Sequence, residues 1–425
     1  MRICQISKII FSIILLLFFS PSIEAQIVND NVTYDPNIQT VLLHERGDQL
    51  SEPVIVLGSG KQLQLSFDDL GDEAYIFRYT IIHCTSDWET SDLEQIEYLE
   101  GYFEDEINDY EFSLNAIPQY IHYELKFPNE EMRLKLSGNY IIKVYLDSPE
   151  PENVILTRRF FVVEPLTHIE ASIPFYPKKL EYTRYKQQID LKINTPDLFS
   201  AEPEQRVNVS IRQNGRWDNM KSKLKPTSIM LNTLEYNYPD GIVFDGGNEF
   251  RNFDIKSFWY QSPQIKQIIS DANGYNVILH TDGIRNGKPF ETIDDLNGRR
   301  YIKARNDQNS NIEGEYALVD FVLYSKKIEG ADIYILGQLN DWKMNELSRM
   351  HYSPESNRYY GQLFLKQGYY NYNYVVKKKD QTEGDITIIE GDYWDTNNTY
   401  YIYVYYRERV PEYDRLVGYL EMNSH

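Results

Sequence analysis

The chain has 425 residues, with 64 acidic against 43 basic and a net charge of −21 at neutral pH. So negative a surface excludes general nucleic-acid binding, which needs clustered Lys and Arg, and two cysteines exclude a disulfide-stapled scaffold. The length is ample for several buried cores, and 36 tyrosines favour pleated strands over helices.

Residues 1–25 open with Arg2 and Lys8, continue through an apolar run at 9–19 broken only by Ser12, and exit at Ser22-Ile23-Glu24-Ala25. That is the layout of a secretory signal peptide. The run is about half of the roughly twenty residues a helix needs to span a bilayer. Cys4 precedes the apolar run and follows no lipobox, which argues against a lipoprotein. Cleavage after Ala25 leaves Cys84 as the single thiol, so the exported protein is expected to hold no internal disulfide.

Period-two alternation then dominates. Leu63, Leu65 and Phe67, then Tyr75, Phe77, Tyr79 and Ile81, lead a set completed by 123–127, 138–146 and 153–163. About seven short strands predict an immunoglobulin-like β-sandwich over 26–164, interrupted by an acidic loop at 94–106. QQIDLKI, RVNVSI, GYNVILH, RRYIKAR and EYALVDFVLY predict a second sandwich-like domain with long loops over 165–325. ADIYILG, RYYGQLFL, YYNYNYVV and TYYIYVYYR predict a third, early-set domain over 326–425. In the tail after Pro411, Leu416, Val417 and Leu420 predict a short amphipathic helix or a docking segment. The expected architecture is all-β, a row of three immunoglobulin-like or early-set β-sandwiches. A transmembrane barrel is disfavoured, because its strands run to about ten residues and most here are shorter.

Chemistry-bearing patterns are sparse. His83-Cys84 with Asp87 invites a cysteine-nucleophile reading, but neighbouring strand residues point to opposite faces, so the pair should diverge and Cys84 should be buried and inert. The other histidines are isolated, without metal-ligand spacing. FDGGNEFRNFD (244–254) and the group Asp294, Asp295 and Asn297 are acidic but lack the oxygen-ligand spacing of a calcium loop. No phosphate-cradling glycine motif and no Gly-x-Ser-x-Gly elbow occurs. No catalytic residue, cofactor or resident metal is expected, and the chain is read as a non-enzyme. GQLNDWK (337–343), with YYGQLFL and GYYNYNYVV, resembles glycogen-binding-type carbohydrate modules. That likeness makes Trp342, Tyr372 and Trp394 candidate sugar-stacking residues of a periplasmic or surface glycan-binding protein; the alternative is that it reports fold alone.

Six segments carry a second resemblance: HCTSDWETSDLEQIEYLEGY (83–102), YIHYELKFPNEEMRLKLSGNYIIKVY (120–145), KKLEYTRYKQQIDLKI (178–193), IRQNGRWDN (211–219), GGNEFRNFDIKS (246–257) and YDRLVGYLEMNS (413–424). In this order, spanning nearly the whole mature chain, they resemble the plug protein family of the type IX secretion system of Bacteroidota. The resemblance implies a periplasmic protein that engages the outer-membrane translocon, a very large single-chain β-barrel of SprA/Sov type. One copy would seal its periplasmic mouth between transport events, held at the membrane through that partner without inserting into lipid. The expected contact residues are Trp88, Glu89, Asp92 and Glu94 in the acidic loop, or Asp245, Asn248, Glu249 and Arg251. The rival expectation is that Trp88 and Phe250 anchor these loops onto their own domains.

Overall fold

A computed structural model describes residues 28–195, 202–272, 274–305 and 308–425. The signal-peptide expectation lies outside them. The fold is all-β, as the alternation predicts: Ile121–Phe127 buries Ile121, Tyr123, Leu125 and Phe127 and leaves the residues between half-buried. Its α-helices, among the described residues, are single turns of four residues.

In the first sandwich one sheet runs Val32–Thr33, Val154–Val163, Gly138–Leu146, Phe77–Cys84, Glu104–Ile107, with Val54–Val56 added in parallel to Val154–Val163. The facing sheet runs Ile38–Glu45, Leu63–Asp69, Ile121–Phe127, Asp109–Phe112. Phe67, Tyr79, Tyr123, Val144 and Leu156 fill the space between them. The second sandwich pairs His168–Ser172 and Thr233–Glu235 with Lys186–Asn194 in one sheet. Its other sheet runs Lys221–Leu224, Val207–Gln213, Thr399–Arg407, Asp414–Asn423.

That last sheet corrects the expected division of the chain. Thr399–Arg407 and Asp414–Asn423 complete the second sandwich, not the third. The third lies wholly inside it in sequence: Arg251–Asp254, Arg300–Ile302 and Ala331–Leu336 all pair with Gly368–Lys378, and Tyr316–Tyr324 pairs with Arg358–Lys366. A boundary at 325/326 would cut that last pair. The tail is a strand rather than a helix, because Leu416 and Val417, adjacent and both buried, face opposite cores.

The three sandwiches also touch pairwise instead of standing in a row. First meets third where Asp68 accepts hydrogen bonds from Lys366 Nζ and the Tyr316 hydroxyl, each at 2.6 Å. First meets second where Phe161 stacks on Tyr403 with centroids 4.4 Å apart and the Tyr405 hydroxyl donates to Asn139 Oδ1 at 2.8 Å. Second meets third where Arg216 donates to the Gly384 carbonyl at 2.7 Å. Thr399–Arg407 is aromatic on both faces for this reason: Tyr400 and Tyr406 fill the second core, while Tyr401, Tyr403 and Tyr405 pack toward the first sandwich.

Candidate partner-binding surface

The acidic segment after Phe77–Cys84 divides into an anchor and an exposed band. Trp88 is the anchor. A tight turn, with Trp88 N–H donating to Thr85 O at 2.9 Å, holds it at φ 68°, a left-handed conformation that non-glycine residues seldom adopt. That turn aims the indole inward, edge-on to Phe161 at 5.2 Å and to Trp217 of the second sandwich at 5.5 Å. The Arg159 guanidinium sits 4.4 Å from the rings of both tryptophans. Trp88 is therefore a clamp between sandwiches and not a contact for a foreign surface. Glu89, Asp92 and Glu94 are exposed, as the acidic-loop expectation requires, together with Ile96 and Tyr102. The four-residue helix Gln95–Tyr98 is tied at its start by Glu97, whose carboxylate accepts the Glu94 N–H at 2.8 Å.

The second expected contact set is turned mostly inward, with Asp245 half-exposed at its margin. Asn248 and Glu249 are buried. Asn248 Nδ2 donates to the Glu390 carbonyl at 2.8 Å, and Arg251 bridges the Glu390 and Asp282 carboxylates at 3.0 and 2.7 Å. Asp245 pairs with Lys186. Burial alone would raise the Glu390 carboxyl, but the Arg251 and Arg285 guanidiniums outweigh it and hold it below the usual range. Glycine fits the approach: a Cβ on Gly246 would collide with the Tyr393 and Tyr185 carbonyls. Asp245, Asn248, Glu249 and Arg251 thus build the joint where the chain crosses from the second sandwich to the third. Their partner Glu390 lies far along the sequence, so local composition could not distinguish this joint from a surface loop.

The sugar-stacking set is also overturned. Tyr372 is 3% exposed, with its hydroxyl donating to Asp282 at 2.8 Å. Trp342 is 9% exposed, edge-on to Phe250 at 5.9 Å, where a Cβ on Gly215 or Gly298 would strike its ring. Trp394 instead meets Phe175 at 4.9 Å and His425 at 4.5 Å. No shared, open aromatic platform results.

His83 and Cys84 diverge as strand geometry demands. His83 packs among Tyr98, Tyr140 and Tyr413, with Nδ1 2.9 Å from Ser91 Oγ, and burial lowers its pKa to about 4. Cys84 faces the cluster shared with the second sandwich, and burial pushes its thiol up to about 12. A thiolate at neutral pH is disfavoured there.

Together these residues place an acidic band with exposed apolar neighbours on the first of the fused β-sandwiches. Residues 38–164 match the Type 9 secretion system plug protein 1st domain. A crystal structure of a hypothetical protein from Parabacteroides merdae shares 33% identity with a TM-score of 0.90, over 94% of this chain and all of that one. The chain belongs to the type 9 secretion system plug protein family. Alkylpurine DNA glycosylase AlkC of Pseudomonas fluorescens matches at 16% identity over 30% of each chain with a TM-score of 0.18. The C-terminal domain of the AgI/II polypeptide BspA of Streptococcus agalactiae matches at 8% identity, over 90% of this chain and 97% of that one, with a TM-score of 0.16. Neither score indicates a shared fold. No curated protein matches the sequence. Membership ties the protein to type 9 secretion. Among the described residues no helix is long and apolar enough to cross a membrane.

Proposed function

We propose that the protein is a non-catalytic stopper that binds the periplasmic mouth of the outer-membrane type 9 translocon, a barrel of SprA/Sov type, and seals it between transport events. Membership of the plug family, through the match of residues 38–164, is the observation that carries this reading. Three features support it. The sandwiches are locked to one another by buried polar bonds and stacked rings, which suits an obstruction that must hold its shape. Each has the span of a compact domain, about 25–40 Å, commensurate with a wide lumen. The exposed acidic band at Glu89, Asp92 and Glu94 suits a charge-steered contact that can release, since polar interfaces favour exchange over permanence. Attachment to the membrane then runs through the barrel, one copy per channel. Tagged protein is expected to recover the barrel from solubilised outer membranes; recovery of no barrel contradicts the reading.

A further inference from the structure

The strand Asp109–Phe112 ends its sheet, pairing on one side with Ile121–Phe127 and on the other with no strand among the described residues. Its hydrogen-bonding phase can be read from its continuation. Ser113 N–H donates to Tyr120 O at 2.9 Å, so Ser113 turns its backbone toward the neighbouring strand. Antiparallel strands alternate this orientation residue by residue, which turns Asp109 and Glu111 the same way and points the N–H and C=O of Tyr110 and Phe112 outward. Leu114 follows in the outward phase, and its N–H is already taken by Ile312 O of the third sandwich at 2.8 Å. The edge thus accepts a foreign backbone at one end and leaves two residues open at the other.

Its side chains are equally open. All four residues of the strand are exposed, Phe112 at 59%. Tyr110 lies 5.5 Å from the Tyr123 ring, whose hydroxyl donates to Tyr75 O at 3.0 Å, which brings exposed Tyr75 and Ile76 to the same margin. Exposed Asp72 and Glu73 precede them. An unpaired edge beside exposed aromatics is a template for strand addition. Glu111, and Asp109 beyond its 3.5 Å pairing with Lys126, fix the sign of the occupant: a second copy of this chain would set carboxylates against carboxylates, whereas a basic strand meets complementary charge.

We infer that the edge Asp109–Phe112 binds an extended segment of a partner protein that alternates basic and apolar residues, by strand addition through the outward backbone groups of Tyr110 and Phe112. The inference needs nothing about the channel, so a failed pull-down and a failed peptide titration are separate results. The probe is a fluorescein-labelled octapeptide of alternating Lys and Val, followed by anisotropy against the full mature protein. Controls are the same peptide N-methylated at every second backbone nitrogen, an alternating Glu-Val peptide, and the Phe112→Pro variant. Pro is tolerated on an edge whose N–H faces solvent. Saturable binding is expected, weakened at least about tenfold by N-methylation, by Glu for Lys, and by Phe112→Pro. Absence of saturable binding, or equal affinity for the methylated and unmethylated peptides, overturns it. The peptide arms use the unaltered chain, so the result stands even if Phe112→Pro fails to fold.

Discussion

Lys366 and Asp68 are each 1% exposed, 2.6 Å apart, with His122 Nδ1 and the Tyr316 hydroxyl also 2.6 Å from Asp68 and the Tyr120 ring 4.1 Å from the ammonium. Burial alone would raise the Asp68 carboxyl, but Lys366 and the other donors hold it below its usual range. Removing one member of such a pair strands a charge and costs about 3–5 kcal/mol, whereas replacing both is close to neutral. Lys366→Met is therefore expected to lower stability to urea by about 3–5 kcal/mol, and adding Asp68→Asn should recover most of the loss. Equal stability of the single and double variants contradicts the pairing. Glu249 behaves oppositely. Burial, then the nearby Asp295 charge, raises it to about 7, and burial raises Asp295 to about 6. A carboxyl with a raised folded-state pKa binds more protons folded than unfolded, so stability falls as pH climbs from the ordinary carboxylate range through 7. Glu249→Gln is expected to raise the melting temperature at pH 8, with the advantage shrinking toward pH 5; a gain that does not depend on pH contradicts this assignment.

At the scale of elements, much of the strand pattern was legible because alternation is a local signal. Tyr123, Leu125 and Phe127 announce their core face without reference to anything else in the chain. Connectivity was not legible. Thr399–Arg407 pairs with Val207–Gln213, and nothing in either segment names the other; the choice is made by burying Ile211 and Ile402 in one core. The same blindness misplaced the joint residues, since Arg251 looks like a free surface cation until Glu390 and Asp282 arrive from distant sequence. The acidic band is the reverse case: Glu89, Asp92 and Glu94 stay exposed, and a distant cation, Lys223 of the second sandwich, meets the loop at the surface through Asp87 at 3.0 Å. Trp88 is a buried anchor, as the rival expectation has it, but it grips a second sandwich as well as its own, because its clamp partner Trp217 comes from distant sequence. If the C-terminal strand belongs to the second sandwich, ending the chain after residue 410 removes buried Leu416 and Val417 and bares the edge of Thr399–Arg407. Hydrogen exchange should then lose protection in Thr399–Arg407 and Val207–Gln213 while Arg358–Lys366 in the third sandwich stays protected. Unchanged protection in Thr399–Arg407 contradicts the topology.

For the whole molecule, pairwise contact among three sandwiches predicts mechanical unity. Buried bonds run from first to third, first to second and second to third, so no domain can unfold without breaking two interfaces. Calorimetry is expected to show one transition with matching calorimetric and van't Hoff enthalpies; separate transitions contradict the shared interfaces. On the stopper reading, the net charge of −21 steers the encounter with the barrel. Reversing Glu89, Asp92 and Glu94 to Lys should slow association with the barrel at least about tenfold at low salt and flatten its salt dependence. An unchanged on-rate removes this band from the contact. The most direct test of the stopper reading is electrical. With the purified translocon barrel held open in a planar bilayer, adding the mature protein to the periplasmic side is predicted to lower conductance in discrete, reversible steps; conductance that stays unchanged at saturating protein contradicts it.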